Sequence, residues 1–280
     1  MTGQPASPGD LPVLTDTHCH LDFSAFDEDR QAILERARHL GVARILNPGI
    51  DLDSSRAAVR LAAIYTEVYA AVGVHPNEAF TWQDGTLGAL RELACEGASS
   101  KIVAIGEIGL DYYRDRAPRE LQRQAFIAQL GLAAELDLPV VIHSRQSEED
   151  LIAILADWQA ELASRDSPLA RRPGVLHSFS GDIHVMQAAV GLNFLIGITG
   201  PVTFSKATEL HQVVAHIPDY HLLIETDAPF LTPHPFRGRR NEPGFVRLVA
   251  EKIAALHGIS FSAVAQITTA NAGRLFQWYL

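Results

Sequence analysis

Eight short apolar runs alternate with amphipathic segments along this 280-residue chain, and that alternation is its strongest constraint on fold. The runs fall at 13–17, 42–46, 68–72, 102–105, 140–142, 175–176, 194–198 and 222–224. Each is brief, rich in β-branched residues or Leu, and without strict in–out alternation. Strands covered on both faces read this way, because a parallel sheet carries helices on each side. Apolar residues recur at helical spacing over 27–40, 54–65, 87–95, 121–136, 149–158, 185–190, 206–216 and 245–256, and a last such segment covers 262–276. The class is therefore α/β. Eight β–α units match a single (β/α)8 TIM barrel, which typically needs about 250 residues. An open doubly wound sheet opens with a glycine-rich phosphate turn after its first strand. Here the first run is followed by His18-Cys19-His20, and the turn Gly106-Glu-Ile-Gly109 follows the fourth run and lacks a third glycine.

Composition narrows the class further. With 47% hydrophobic and 20% charged residues the chain is no disordered segment, and its two cysteines, Cys19 and Cys95, exclude a disulfide-stapled miniature domain. No stretch approaches the roughly 18 uninterrupted apolar residues of a membrane span. Residues 1–12 are rich in Pro, Gly and Ser, with neither a basic start nor an apolar run. They are expected to form a loosely held tail before a barrel over 13–280, with the cytoplasm as the simplest address and a monomer as the default. The segment 163–173 reads as a long loop rather than a hinge. A net charge of −10 argues against wrapping duplex DNA by electrostatics alone. It leaves a nucleic-acid enzyme open, because metal-binding carboxylates inflate the negative count.

Barrel enzymes carry their sites at the carboxyl ends of the strands. The first run ends in Asp16-Thr-His18-Cys-His20, and residues two apart share a face, so His18 and His20 point together. The fourth run ends in Gly106-Glu107, the fifth in His143, the sixth in His177 and the eighth in Glu225-Thr-Asp227. A lone strand-end histidine is more often packing than ligand, and a lone Glu is more often a solvated loop residue. Six ligand-type residues in register at five strand ends are a different matter. This nitrogen and oxygen set without thiolates suits Zn²⁺, Mn²⁺, Ni²⁺ or, with fewer histidines, Mg²⁺. Six ligands exceed one four-coordinate ion, so two divalent metal ions are expected. His18, His20 and Asp227 would hold the first, His143 and His177 the second, and Glu107 would bridge. Asp227 is also placed to take a proton from the attacking water.

At these residues the chain resembles the TatD family of metal-dependent deoxyribonucleases, in the amidohydrolase-like barrel superfamily. The matching segments are Asp16-Thr-His-Cys-His-Leu-Asp22, Gly73-Val-His-Pro-Asn77, Ala104-Ile-Gly-Glu-Ile-Gly-Leu-Asp-Tyr112 and Pro139-Val-Val-Ile-His-Ser-Arg145. They continue with Gly174-Val-Leu-His-Ser-Phe-Ser-Gly181, Leu223-Ile-Glu-Thr-Asp-Ala-Pro229, Arg237-Gly-Arg-Arg-Asn-Glu-Pro243 and Thr268-Thr-Ala-Asn271. The resemblance implies metal-dependent hydrolysis of DNA phosphodiesters, with 3′-to-5′ trimming of single-stranded DNA in repair or fragment turnover; the sequence leaves DNA versus RNA open. The same ligands carry over: His18, His20, Glu107, His143, His177 and Asp227. Ser178, where the family often has Cys, bears on substrate preference rather than on catalysis.

Around that set, His75 is expected to hydrogen-bond a phosphate or leaving oxygen, its bland alternative being a structural histidine of the His-Pro turn. Arg145 is expected to pair with a phosphate, against a salt bridge to the following acidic loop. Arg239 and Arg240, in the one dense basic cluster, are expected to attract the phosphate backbone, against a solvated loop paired to nearby carboxylates. Glu225 would orient a ligand histidine from beneath, Asp16 stands in the same relation to His18, and Tyr112 would stack a base. The alternatives are an ester or amide hydrolase of the same superfamily, such as an aminoacyl-tRNA deacylase, and a metal-binding scaffold without turnover. Many relatives with amide or phosphotriester substrates bridge their metals through a lysine at the fourth strand, where this chain has Glu107 and where Lys101 stands at the wrong end.

Overall fold

A computed structural model describes residues 12–95, 101–114 and 116–278. Residues 1–11 of the expected tail lie outside them. Eight parallel strands follow one another in chain order: β1 Leu14–Asp16, β2 Val42–Pro48, β3 Val68–Val72, β4 Ile102–Asp111, β5 Val140–Arg145, β6 Gly174–Leu176, β7 Leu195–Ile198 and β8 Leu222–Ile224. The ring closes between β8 and the segment after β1. Thr17 N donates to Ile224 O, Asp227 N to His18 O and His20 N to Ala228 O, at 2.8–3.2 Å. The helices are α1 Arg30–His39, α2 Leu52–Ile64, α3 Thr86–Cys95, α4 Arg119–Leu136, α5 Glu148–Ser164, α6 Ile183–Gly191, α7 Thr208–Val214, α8 Val246–His257 and α9 Phe261–Phe276. No single helix among the described residues is long and apolar enough to cross a membrane.

Two buried layers hold the barrel. One strand face meets the helices: Ile45, Val72, Ile105, Ile142 and Ile196 pack with residues such as Leu34, Ala58, Phe126 and Leu155. The other fills the barrel interior. Leu46, Ala71, Ala104, Val141, Val175, Leu195 and Leu223 form one cluster with Leu275, Phe276 and Trp278, so α9 and the residues after it plug the floor. A plugged floor leaves the opposite mouth as the open end.

Two segments differ from the sequence reading. β4 runs to Asp111 rather than ending near Glu107, because a pairing irregularity between Ile105 and Ile108 lets the strand resume beside β5. Gly109 interrupts the apolar pattern there; its φ of 138° and its closeness to the His143 carbonyl leave no room for a side chain. The expected loop 163–173 is partly helical, since Leu151, Leu155, Trp158 and Leu162 continue one buried stripe to the end of α5 and a short turn, Pro168–Arg171, follows.

Candidate metal centre

All six strand-end residues converge on the mouth, with Glu107 at the middle. Its Oε2 lies 3.3 Å from His18 Nε2 and 3.7 Å from His20 Nε2. Its Oε1 faces the other way, 3.1 Å from His143 Nδ1, 3.3 Å from His75 Nε2 and 3.8 Å from His177 Nε2. Asp227 Oδ1 stands 3.5 Å from His20 Nε2 and 3.8 Å from both His18 and His177. The period of two carries His18 and His20 inward together, while Cys19 between them faces the core.

Hydrogen-bond partners fix which nitrogen of each histidine faces the centre. His177 Nδ1 lies 3.0 Å from Glu225 Oε2, so Nε2 is the nitrogen turned to the centre. Glu225, fully buried, also accepts from Ser178 N and Thr17 Oγ1. His143 Nε2 lies 3.2 Å from Asp111 Oδ2, which leaves Nδ1 toward Glu107. His75 is arranged differently. Its Nδ1 accepts from Asn77 N at 3.0 Å, so Nε2 carries the proton and donates to Glu107. His75 therefore steadies the Glu107 carboxylate with both nitrogens engaged, rather than offering either to a phosphate. Asp16 accepts from Thr226 and from the His18 backbone, stapling β1 to β8 instead of orienting the His18 ring.

The electrostatics set the histidines apart from one another beside ionised carboxylates. Burial, reinforced by the neighbouring His177, pushes His18 down to about 4, leaving its ring neutral at pH 7. Burial works against charge on His177 too, but the Glu225, Glu107 and Asp227 carboxylates outweigh it and push it up to about 9. Burial likewise opposes ionisation of Glu107, yet the surrounding His75, His18 and His143 rings hold its carboxyl well below the usual range. Asp227 is lowered in the same way, chiefly by His20 against burial.

The donor set fits metal ions. His18 Nε2 and His20 Nε2 face each other at 3.2 Å with carboxylate oxygens beside them. Two nitrogens bound to one tetrahedral ion at 2.0–2.1 Å stand about 3.3 Å apart. Among the described residues, three groups offer ligand atoms within 4.8 Å of one another: His18, His20 and Asp227; His18, Glu107 and His177; His75, Glu107 and His143.

Of the other expected residues, His75 and Arg145 line the same cleft, about 1680 Å³ in volume. Arg145 is exposed, has no ion pair among the described residues and lies 4.2 Å over the Tyr113 ring. Arg239 and Arg240 are not on the cleft wall. Arg240 grips both oxygens of Asp29 at 2.7–2.8 Å, which ties the start of α1 to the segment after β8. Arg239 lies 5.9 Å from the Phe236 ring. Tyr112 is also occupied, its hydroxyl donating to Asp150 and one face covered by Arg119. Asp111 took no role in the sequence reading, and Asn241 only the structural or substrate role of its motif. Asp111 shares the face of Glu107 at even spacing along β4, a signal hidden by the shortened strand. Asn241, fully buried, donates to Thr226 O and Phe230 O and so holds the loop that carries Asp227.

Fold and site together define a (β/α)8-barrel hydrolase with a histidine–carboxylate centre built to bind metal. The chain belongs to the TatD related DNase family, whose model matches residues 15–277. It is a metal-dependent hydrolase of that family. It is 42% identical over 265 residues to YabD of Bacillus subtilis (strain 168), described as an uncharacterized metal-dependent hydrolase, covering 95% of this chain and 99% of that one. It is 39% identical over 267 residues to a 3′-5′ ssDNA/RNA exonuclease TatD of Escherichia fergusonii, covering 93% and 98%. Among solved structures, YjjV, a TatD homologue of Escherichia coli K12, superimposes with a TM-score of 0.87 at 33% identity, covering 95% and 98%.

Proposed function

We propose that this hydrolase cleaves phosphodiester bonds at the 3′ end of single-stranded nucleic acid, DNA first, using two divalent ions. The observation that carries the reading is the split of Glu107, one oxygen toward His18 and His20 and the other toward His143 and His177. His18, His20 and Asp227 would complete one ligand set, and His143 and His177 the other, with Glu107 shared. Bound there, Mg²⁺, Mn²⁺ or Zn²⁺ would supply positive charge to acidify water and to neutralise phosphate oxygens. The name of the Escherichia fergusonii relative supports the substrate and direction.

The chain's own residues do the rest. Asp227, 15% exposed at the mouth, is ionised at neutral pH and accepts the proton of the attacking water. Glu225 and Asp111 hold the His177 and His143 rings in the tautomers that aim lone pairs inward. Arg145 lies over the cleft, where its guanidinium receives the phosphates of the strand.

The test is a time course on 5′-labelled single-stranded DNA with chelator, with Mg²⁺ or Mn²⁺, and with the Asp227→Asn variant. A metal-dependent ladder shortening from the 3′ end is expected, with circular single strands resistant. Loss of the proton acceptor should slow it by about 10²–10⁴-fold. Protein that binds metal yet leaves DNA and RNA intact overturns the reading and turns attention to acyl substrates.

A further inference from the structure

Beside the metal-binding residues, the cleft has two unlike walls. On the side of β1 and β8 stands an aromatic ladder that starts on a ligand-type histidine and ends in solvent. The Phe23 ring stacks on His20 at 4.7 Å and 23°, and Phe230 meets Phe23 edge-on at 5.9 Å and 79°. Phe230 is 51% exposed and the next residue, Leu231, 38% exposed; both line the cleft. An exposed phenyl ring on the wall of a cleft beside a polar centre fits a ligand pocket, whose lining is predominantly apolar and aromatic with a few placed polar groups.

The ring is also held in place. Phe230 N donates to Asp227 O at 2.8 Å, and Phe230 O accepts from the buried Asn241 at 2.6 Å. The same asparagine holds Thr226 O, so one buried amide sets both the proton acceptor and the exposed ring. On the side of β4 and β5 the wall is cationic. Arg145 lies over the Tyr113 ring, which is 54% exposed, with no carboxylate partner among the described residues.

We propose that Phe230, backed by Phe23, is the stacking platform for the base of the 3′-terminal nucleotide, and that Arg145 on Tyr113 receives the remaining strand. This rests on the nuclease reading above and assigns its subsites. The assignment follows from charge. The leaving nucleotide carries one phosphate and an uncharged base with a planar π-face, which matches an uncharged aromatic wall. The rest of the strand adds a phosphate with every residue and matches the wall with the free guanidinium. Stacking on a π-face is tolerant of base identity, so the platform would accept all four terminal bases.

The test uses single strands whose last linkage is a phosphorothioate, with 2-aminopurine as the 3′-terminal or as a mid-strand base. Binding to the metal-loaded protein is followed by anisotropy of a 5′ dye, and stacking by 2-aminopurine fluorescence. Terminal 2-aminopurine is expected to be quenched on binding and mid-strand 2-aminopurine much less. Phe230→Ala should lose the quench and raise KM on ordinary DNA by about tenfold, while Phe230→Tyr should retain both. An abasic 3′ end should raise the wild-type KM similarly and leave that of Phe230→Ala unchanged. Quenching that survives Phe230→Ala, or bound strands with an unquenched terminal base, overturns the platform even if cleavage proceeds. Quenching without cleavage of ordinary DNA overturns the nuclease reading and leaves the platform. Neither binding nor cleavage removes both.

Discussion

Glu225 and Asp111 act on the centre without touching its open side. Each lies behind one histidine, whereas the Nδ1 atoms of His18 and His20 are buried without a partner. The two halves of the site are therefore built differently, one backed by carboxylates and one by packing alone. Glu225→Gln keeps the shape but replaces part of an acceptor-only carboxylate with a donor amide, facing His177, Ser178 and Thr17. Metal affinity measured by calorimetry should fall by about 10–100-fold. Gly197→Ala offers an independent check, because a Cβ there collides with the Glu225 carboxylate while changing no polar group. It should weaken metal binding in the same direction; wild-type affinity in both variants would disconnect Glu225 from the centre.

At the scale of elements, the basic segment after β8 works as a strap. Arg240 joins Asp29, and Arg36 of α1 joins Glu242 at 2.8 Å, so the strap is clamped to α1 at two points. Such partly exposed pairs are worth about 1 kcal/mol or less each. The Arg240 hydrogen bond holds the Asp29 carboxyl below the usual range. A lowered carboxyl contributes stability above its unfolded pKa of about 3.9 and loses it as pH falls through the folded value. Asp29→Asn should therefore lower the thermal midpoint slightly at pH 7, with the gap closing as pH falls through the folded carboxyl's value. A gap that persists unchanged in acid would show that the pair's ionisation is not its source. The strap also explains why the motif Arg239-Arg240-Asn241 reads as substrate-binding in sequence. Its charges are clear there, but the carboxylate that grips Arg240 through both oxygens, Asp29, comes from the start of α1, roughly 200 residues earlier in the chain.

For the whole molecule, the core layers and the plugged floor involve none of the six strand-end histidines and carboxylates. Chelation should leave the far-UV spectrum of the barrel intact. Saturating Mn²⁺, at about a hundred times its Kd, adds roughly 2.7 kcal/mol, which is a rise of roughly 5–10 °C in thermal midpoint. Collapse of the spectrum on chelation would instead make the ions structural.

The sequence by itself determined the eight-fold alternation, with β3 and β8 bounded as observed and most other elements within a few residues. It also determined which ligand-type residues end the strands, because apolar period and strand parity are local properties of the chain. Tertiary structure alone decided how those residues group: Glu107 turned between two sets, His75 bound to it as a donor, and Asp111 and Glu225 set behind their histidines. It also decided that Arg240 faces Asp29 while Phe230 stands bare in the cleft. These outcomes depend on strand register and on closure between β1 and β8, made by groups about 200 residues apart such as Asp16 and Thr226. Periodicity carries no information across that distance; packing does.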